Sequence, residues 1–220
     1  VVHKYFEKFK KMINQIFIPT FAGLRNDVET SLEIQEPLIG IGYKGGLMLV
    51  VREGIKAITV DADLQYKNLK DITGLNVNTI IVMLSNSPLE KTDFLNHTEE
   101  ASEYVKKGVD FTRNLPIGKR KIVTFHLNSL VREDEFLGKE KEYWIDKFNR
   151  RIVSVLRDIS HYAKDRGIEV KVETDPVPAY GDISFTDKRE YRGKKLNELR
   201  SPFYLTGFWG FEQIRECGLG

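Results

Sequence analysis

Two residues of this chain have the chemistry of a reactive pair, His126 and Glu173. An imidazole binds metals and carries protons near neutral pH, and a carboxylate does both as well. Each stands at the end of a short run rich in β-branched residues, 121–127 (KIVTFHL) and 168–173 (IEVKVE). Polar residues end the other apolar runs too: Asp61 and Asp63 after 55–61, Ser85 and Asn86 after 77–84, Asn128 just past His126, and Asp175 just past Glu173. In parallel strand–helix architectures reactive groups gather at the carboxyl ends of strands, so these positions are the candidates.

Alternation along a strand sharpens the choice. In 121–127, Ile122, Thr124 and His126 share one face, and Val123, Phe125 and Leu127 share the other. The purely apolar set is expected to meet helices, which directs His126 the opposite way. In 168–173, Val170 and Val172 are the helix-facing pair, leaving Glu169, Lys171 and Glu173 inward. A carboxylate buried there needs a cation or a metal beside it. Two arrangements satisfy it. His126 and Glu173, from adjacent strands, share a divalent ion such as Zn²⁺, Mn²⁺ or Fe²⁺; or Lys171 pairs with Glu173 and His126 is hydrogen-bonded nearby. A catalytic metal generally takes three or more protein ligands and an open position, and the pattern supplies two.

The elements that must position these groups follow a rhythm. Residues 5–16 carry Phe6, Phe9, Ile13 and Ile16 at helical spacing with lysines opposite, predicting an amphipathic helix; 1–37 is expected to be a helical extension. From residue 38 to 220 the expectation is a partial TIM-barrel-like domain. Its strands are predicted at 38–43, 55–61, 77–84, 121–127 and 168–173, with helices at 45–53, 66–72, from Asn96 to Leu115, and over 139–166. Asn96 and Glu99 have the spacing of a capping box, Leu115-Pro116 ends the third helix, and Gly167 ends the fourth. Residues 183–202 read as a charged loop, and 203–216 as a last helix. Strand–helix repeats without hairpin signals mean parallel crossovers, which are right-handed and curl one way. No glycine pattern after any strand fits a dinucleotide fingerprint. The expected class is therefore α/β with parallel strands and a TIM-barrel-like (β/α) repeat, incomplete in this chain.

Composition bounds the rest. With 220 residues, 41% of them hydrophobic, the chain can bury a substantial core. Thirty-four basic and 32 acidic residues nearly cancel, which argues against a dedicated nucleic-acid surface. The single cysteine, Cys217, forms no internal disulfide and reads as a buried thiol, so a cytoplasmic location is expected. No apolar run reaches the roughly 20 residues of a membrane helix. His97 and His161 read as solvated, Trp209 as a core aromatic, and the charged run 188–195 as a solvated loop that could also hold a phosphate.

The stretch from Leu38 to Gly220 resembles the first five strand–helix units of the xylose isomerase-like TIM barrels. That superfamily comprises sugar and sugar-phosphate isomerases and epimerases together with endonuclease IV-type abasic-site nucleases. The most specific pieces are 122–126 (IVTFH), like the family's fourth strand ending in His, and 170–174 (VKVET), like its fifth strand ending in a Glu-Asn-Thr type motif. Residues 211–220 look like the run-in to strand six, which in the family carries an Asp, often followed by a His. The resemblance implies that Glu173 is the shared metal ligand and, in epimerases, takes part in proton transfer. It implies that His126 ligates metal or contacts substrate, and that the divalent ion is Mn, Zn, Mg or Co. Asp61 matches an acidic residue at the end of strand two; Asn128 and Lys171 are further substrate-contact candidates. Ser85 stands where the nuclease branch has a histidine, and Thr174 stands where the family usually has Asn.

The expected function is a metal-dependent isomerase or epimerase of a small sugar or sugar phosphate, working by proton transfer next to a carbonyl. The alternatives are an abasic-site nuclease and a non-catalytic barrel or interaction domain. Nucleic-acid and membrane partners are not expected. The chain begins without Met and stops where strand six would begin, so a fragment, a homo-oligomer or completion by another chain is anticipated.

Overall fold

The computed structural model describes residues 15–21, 33, 36–37, 44–51, 79–84, 93–115, 118–127, 131–173, 190–191, 194–195, 199–200 and 214–219. Their centre is a parallel sheet of five strands: β1 (Gln15–Phe21), β2 (Lys44–Val51), β3 (Thr79–Leu84), β4 (Arg120–His126) and, after a two-residue β5 (Val131–Arg132), β6 (Glu169–Glu173). The spatial order is β1-β2-β3-β4-β6, and every pairing in it is parallel. The chain is thus an α/β protein whose parallel strands stand side by side in the order in which they occur.

Strand β3 (TIIVML) shows why the sheet forms. Its near-continuous β-branched run suits a strand covered on both faces, and all of it except the half-buried Met83 is buried. Ile80, Val82 and Leu84 face a core shared with Val123, Phe125 and Leu127 on and just past β4 and with Val170 on β6. That core is closed by helices α1 (Thr98–Asn114) and, after the short α2 (Glu133–Leu137), α3 (Lys141–Lys164). Helix α1 contributes Ala101, Tyr104, Val105 and Val109, and α3 contributes Trp144, Phe148, Ile152, Leu156, Ile159 and Ala163, each set at helical spacing. Gly108 lets α1 lie close on the sheet: a Cβ there would come 2.7 Å from Leu84 Cδ1.

The helix ends are built locally. Asp93 Oδ1 accepts the backbone N–H groups of Leu95 and Asn96, and Asn96 Nδ2 donates to Asp93 Oδ2 at 2.6 Å. Asp93 thus forms an Asx-type turn that also takes the Asn96 amide, and the helix begins past Asn96, so the expected Asn96–Glu99 capping box does not form; His97 occupies the N-cap without a side-chain cap bond. Leu115 turns extended at the other end (ψ 135°), as a residue before proline must. Lys121, on the helix side of β4, donates to the carbonyls of Arg113 (2.8 Å) and Leu115 (2.6 Å), and its burial lowers the ammonium pKa. Helix α3 closes on Gly167 (φ 69°), with Ile168 N–H donating to Ala163 O and Gly167 N–H to Lys164 O. This is the Schellman arrangement, in which glycine accepts the left-handed conformation at little cost.

Three expectations are corrected. The helix expected over 45–53 is absent, and Lys44–Val51 is strand β2. A short apolar run reads alike as buried helix or buried strand, and here Gly45-Gly46 and the β-branched Val50-Val51 decide for the strand. Gln15 and Ile16, expected in a helix, open β1, so the range 1–37 contributes a strand to the sheet. Pro19 is tolerated in β1 because, among the described strands, β1 is bonded on one side only. The charged stretch 183–202 contains β7 (Glu190–Tyr191), β8 (Lys194–Lys195) and β9 (Leu199–Arg200). The first two form an antiparallel hairpin, and β9 pairs antiparallel with β5. The strands expected at 38–43 and 55–61, the helix at 66–72, residues 5–14 of the first helix and 203–213 of the last lie outside the described residues. No helix among the described residues is long and apolar enough to cross a membrane.

Candidate functional site

The carboxyl ends of β4 and β6 are neighbours. Ile122 lies opposite Glu169, Thr124 opposite Lys171, and His126 opposite Glu173 in a parallel register. Cα atoms so paired on neighbouring strands are about 4.8 Å apart. The alternation expected from sequence holds on β4: Val123 and Phe125 enter the core under the helices, and Ile122, Thr124 and His126 occupy the opposite face. That face is itself covered. Ile81 and Ile122 on it are 9% and 5% exposed, and His126 is 3% exposed.

His126 is thus a buried imidazole at the end of an interior strand, in the same register row as Glu173 on the neighbouring strand. Placed on a face rather than in contact, the pair offers an imidazole nitrogen and a carboxylate oxygen, a donor set that suits Zn²⁺ or Mn²⁺. A divalent-metal site would need at least a third such ligand beside them. Among the described residues, no three His, Cys, Asp or Glu side chains group closely enough to complete one. The side chain of Glu173 and the residues Asp61, Asp63, Ser85, Asn86, Asn128 and Asp175 lie outside the described set. Lys171 is described and half-buried, in register with Thr124.

At the amino end of the same strands the inward carboxylate has a different partner. Arg120 Nε donates to Glu169 Oε1 at 2.6 Å and Nη2 to Oε2 at 2.7 Å, a bidentate pair that reading the sequence did not anticipate. The hydrogen bonds from Arg120 hold the Glu169 carboxyl below its usual range, and the guanidinium pKa is raised in turn. Both side chains are two-fifths exposed, so the gain is that of a surface pair. A depressed carboxylate pKa contributes stability above the unfolded-state pKa and loses it as pH falls through the folded-state value. Glu169→Gln is therefore expected to flatten the acid limb of stability against pH. Its curve should converge with that of the parent at the acid end and separate from it toward neutral pH. Urea titrations across that range check this, and parallel curves at all pH values would contradict it.

Two short strands later in the chain than β4 and β6 pair with each other. β5 follows β4, β9 follows β6, and they pair with Val131 opposite Arg200 and Arg132 opposite Leu199. Val131 is buried in the core, which anchors the tie. Elsewhere the candidates resolve as structural. Cys217 is buried with Sγ 3.7 Å from the Val153 carbonyl, and burial pushes its thiol pKa up, the reverse of an activated nucleophile. His161 is exposed on α3, and His97 sits 3.5 Å from Glu100 at the surface. Asp110 on α1 accepts from Tyr162 Oη (2.7 Å) and Arg166 Nε (2.8 Å), a clasp between α1 and the end of α3. Trp209 lies outside the described residues.

No protein-family model matches the chain, and no curated protein matches it. Among solved structures, the chain is similar to the CcCel6A catalytic domain complexed with p-nitrophenyl beta-D-cellotrioside, at 11% identity and a TM-score of 0.41. The match covers 94% of this chain, which spans 60% of the length of that one.

Proposed function

We propose that this chain is part of a (β/α) barrel of the xylose isomerase-like kind and serves a metal-dependent isomerase or epimerase of small sugars or sugar phosphates. Strand order supports the barrel. A doubly wound sheet reverses its order at a switch point, whereas these five parallel strands keep the order of the chain, as strands around a barrel do. Burial of Ile81 and Ile122 on the face away from the helices fits the packed interior of such a barrel.

The observation that carries the functional reading is the buried His126 at the carboxyl end of β4, in register with Glu173 on β6. In this proposal Glu173 takes the proton from the carbon next to the substrate carbonyl and helps hold the divalent ion. His126 is a second ligand or orients the substrate oxygens. Asp61, Asn128 and Lys171 contact substrate hydroxyls. A bound Mn, Zn, Mg or Co would polarise the carbonyl and lower the cost of the negative charge that develops on its oxygen. The setting is the cytoplasm, where the lone Cys217 remains a thiol.

Metal content tests the reading directly. After dialysis against Mn²⁺ or Zn²⁺, the protein is expected to retain a stoichiometric ion. His126→Ala should weaken that binding by more than the roughly 10–100-fold that loss of a supporting outer-shell group costs. Absence of bound metal in the parent protein after soaking would sink the proposal.

A further inference from the structure

The isomerase reading gives no task to the charged run 188–195. In it Lys188, Arg189, Arg192, Lys194 and Lys195 stand against the single carboxylate of Glu190, whereas the whole chain carries a net charge of only +2. The run contains a hairpin: β7 pairs antiparallel with β8, with Tyr191 opposite Lys194 and Glu190 opposite Lys195. Arg192 and Gly193 alone lie between the paired positions, and a glycine there suits a tight hairpin turn.

The register gives these cations unequal settings. Lys195 lies across from Glu190, an opposite-charge pair that supports a hairpin. Lys194 lies across from Tyr191 on the other face of the ribbon, and Arg192 follows Tyr191 directly. Among the described residues this two-stranded sheet joins no other strand, and a lone hairpin is marginal in water. Cations crowded onto it repel one another, and an anion bound between them would relieve that repulsion. Phosphate fits such a set. An arginine fork and a lysine point charge are its usual partners, and a tyrosine hydroxyl can donate a further hydrogen bond. The stretch from Lys195 to Leu199 spans at most about 14 Å, and Leu199 is paired with Arg132 of β5. From His126 to Val131, where β5 begins, the chain reaches at most about 18 Å. The hairpin is thus tethered to the first strand that follows His126.

We propose that the β7–β8 hairpin is a phosphate-binding element, in which Tyr191, Arg192 and Lys194 hold the phosphate monoester of a small sugar phosphate. The class of ligand rests on the isomerase reading, and within it the hairpin selects phosphorylated sugars over free ones.

Calorimetric titrations of the full chain in EDTA, at constant ionic strength, read this site without a metal. The parent is expected to bind ribose 5-phosphate at least about tenfold more tightly than free ribose. The double variant Arg192→Gln, Lys194→Gln should lose at least about tenfold in affinity for ribose 5-phosphate, with an unchanged melting temperature. The variant Lys188→Gln, Lys195→Gln removes the same charge and should stay within about twofold of the parent. No ribose 5-phosphate binding by the parent, or equal weakening in the two double variants, would overturn the inference. Tighter binding of single-stranded DNA than of ribose 5-phosphate would overturn it as well. Metal content, measured on samples dialysed against Mn²⁺, keeps the two proposals apart. Phosphate binding without retained metal sinks the metal reading alone. Retained metal without phosphate binding sinks this one alone.

Discussion

If the proposed isomerase reading holds, replacing Glu173 with Gln is expected to lower metal-dependent turnover by about 10²–10⁴-fold, the range that a positioned general base contributes. The substitution keeps the shape of the side chain, and β6 is held to β4 by backbone pairing from Ile122/Glu169 to His126/Glu173, so the sheet has no reason to change. What is lost is the ability to accept a proton and to carry negative charge toward a cation. Solvent-deuterium incorporation next to the carbonyl, followed across a panel of aldoses, ketoses and their phosphates, reads the step whichever of these sugars is the substrate. The competing arrangement, an ion pair from Lys171 to Glu173 with no chemistry, makes a different forecast. There Glu173→Gln and Lys171→Met would cost similar, small amounts of stability and leave any activity untouched. Unchanged exchange in Glu173→Gln, with both variants matched in stability, would decide for the ion pair.

The parts of this fold legible in the sequence are those where one periodicity dominates. The alternation in 121–127 separates Val123, Phe125 and Leu127 from His126, and the core contains the first three. The long stripe from Phe148 to Ala163 marks α3, and Gly167 marks its end. The adjacency of His126 and Glu173 follows from two strands joined by one long helix, and the register agrees. Where a run fits two periods, the sequence misleads: Leu47 to Val51 is apolar throughout, and neither helix nor strand is marked by alternation. Local side-chain competition is equally hard to foresee. Asn96 has the spacing of a cap, yet Asp93 captures it three residues upstream. The tie between β5 and β9 joins two-residue strands far apart in sequence, and nothing local announces such a pair.

The face of β4 opposite His126 governs stability, and Phe125→Ala is expected to cost about 3–5 kcal/mol. Phe125 is fully buried, with its ring centroid 5.4 Å from that of Phe94 at a tilted angle, beneath the helices that cover the sheet. Truncation removes apolar area and leaves a cavity that Leu84, Phe94 and Val123, held on a paired sheet and a turn, cannot close. Phe125→Leu keeps most of the volume and should lose less than half as much. Urea denaturation of the two variants, with unchanged slope against denaturant, measures both. A loss below roughly 1.5 kcal/mol for Phe125→Ala would mean that this face is not packed as described. The same variants test whether the two faces of β4 act separately. If the proposed metal site exists, then at a temperature where Phe125→Ala is still folded its metal affinity should match that of the parent, because the strand's backbone pairing, not the Phe125 ring, sets the position of His126. Weakened metal binding in folded Phe125→Ala would show instead that helix packing positions the imidazole through the strand.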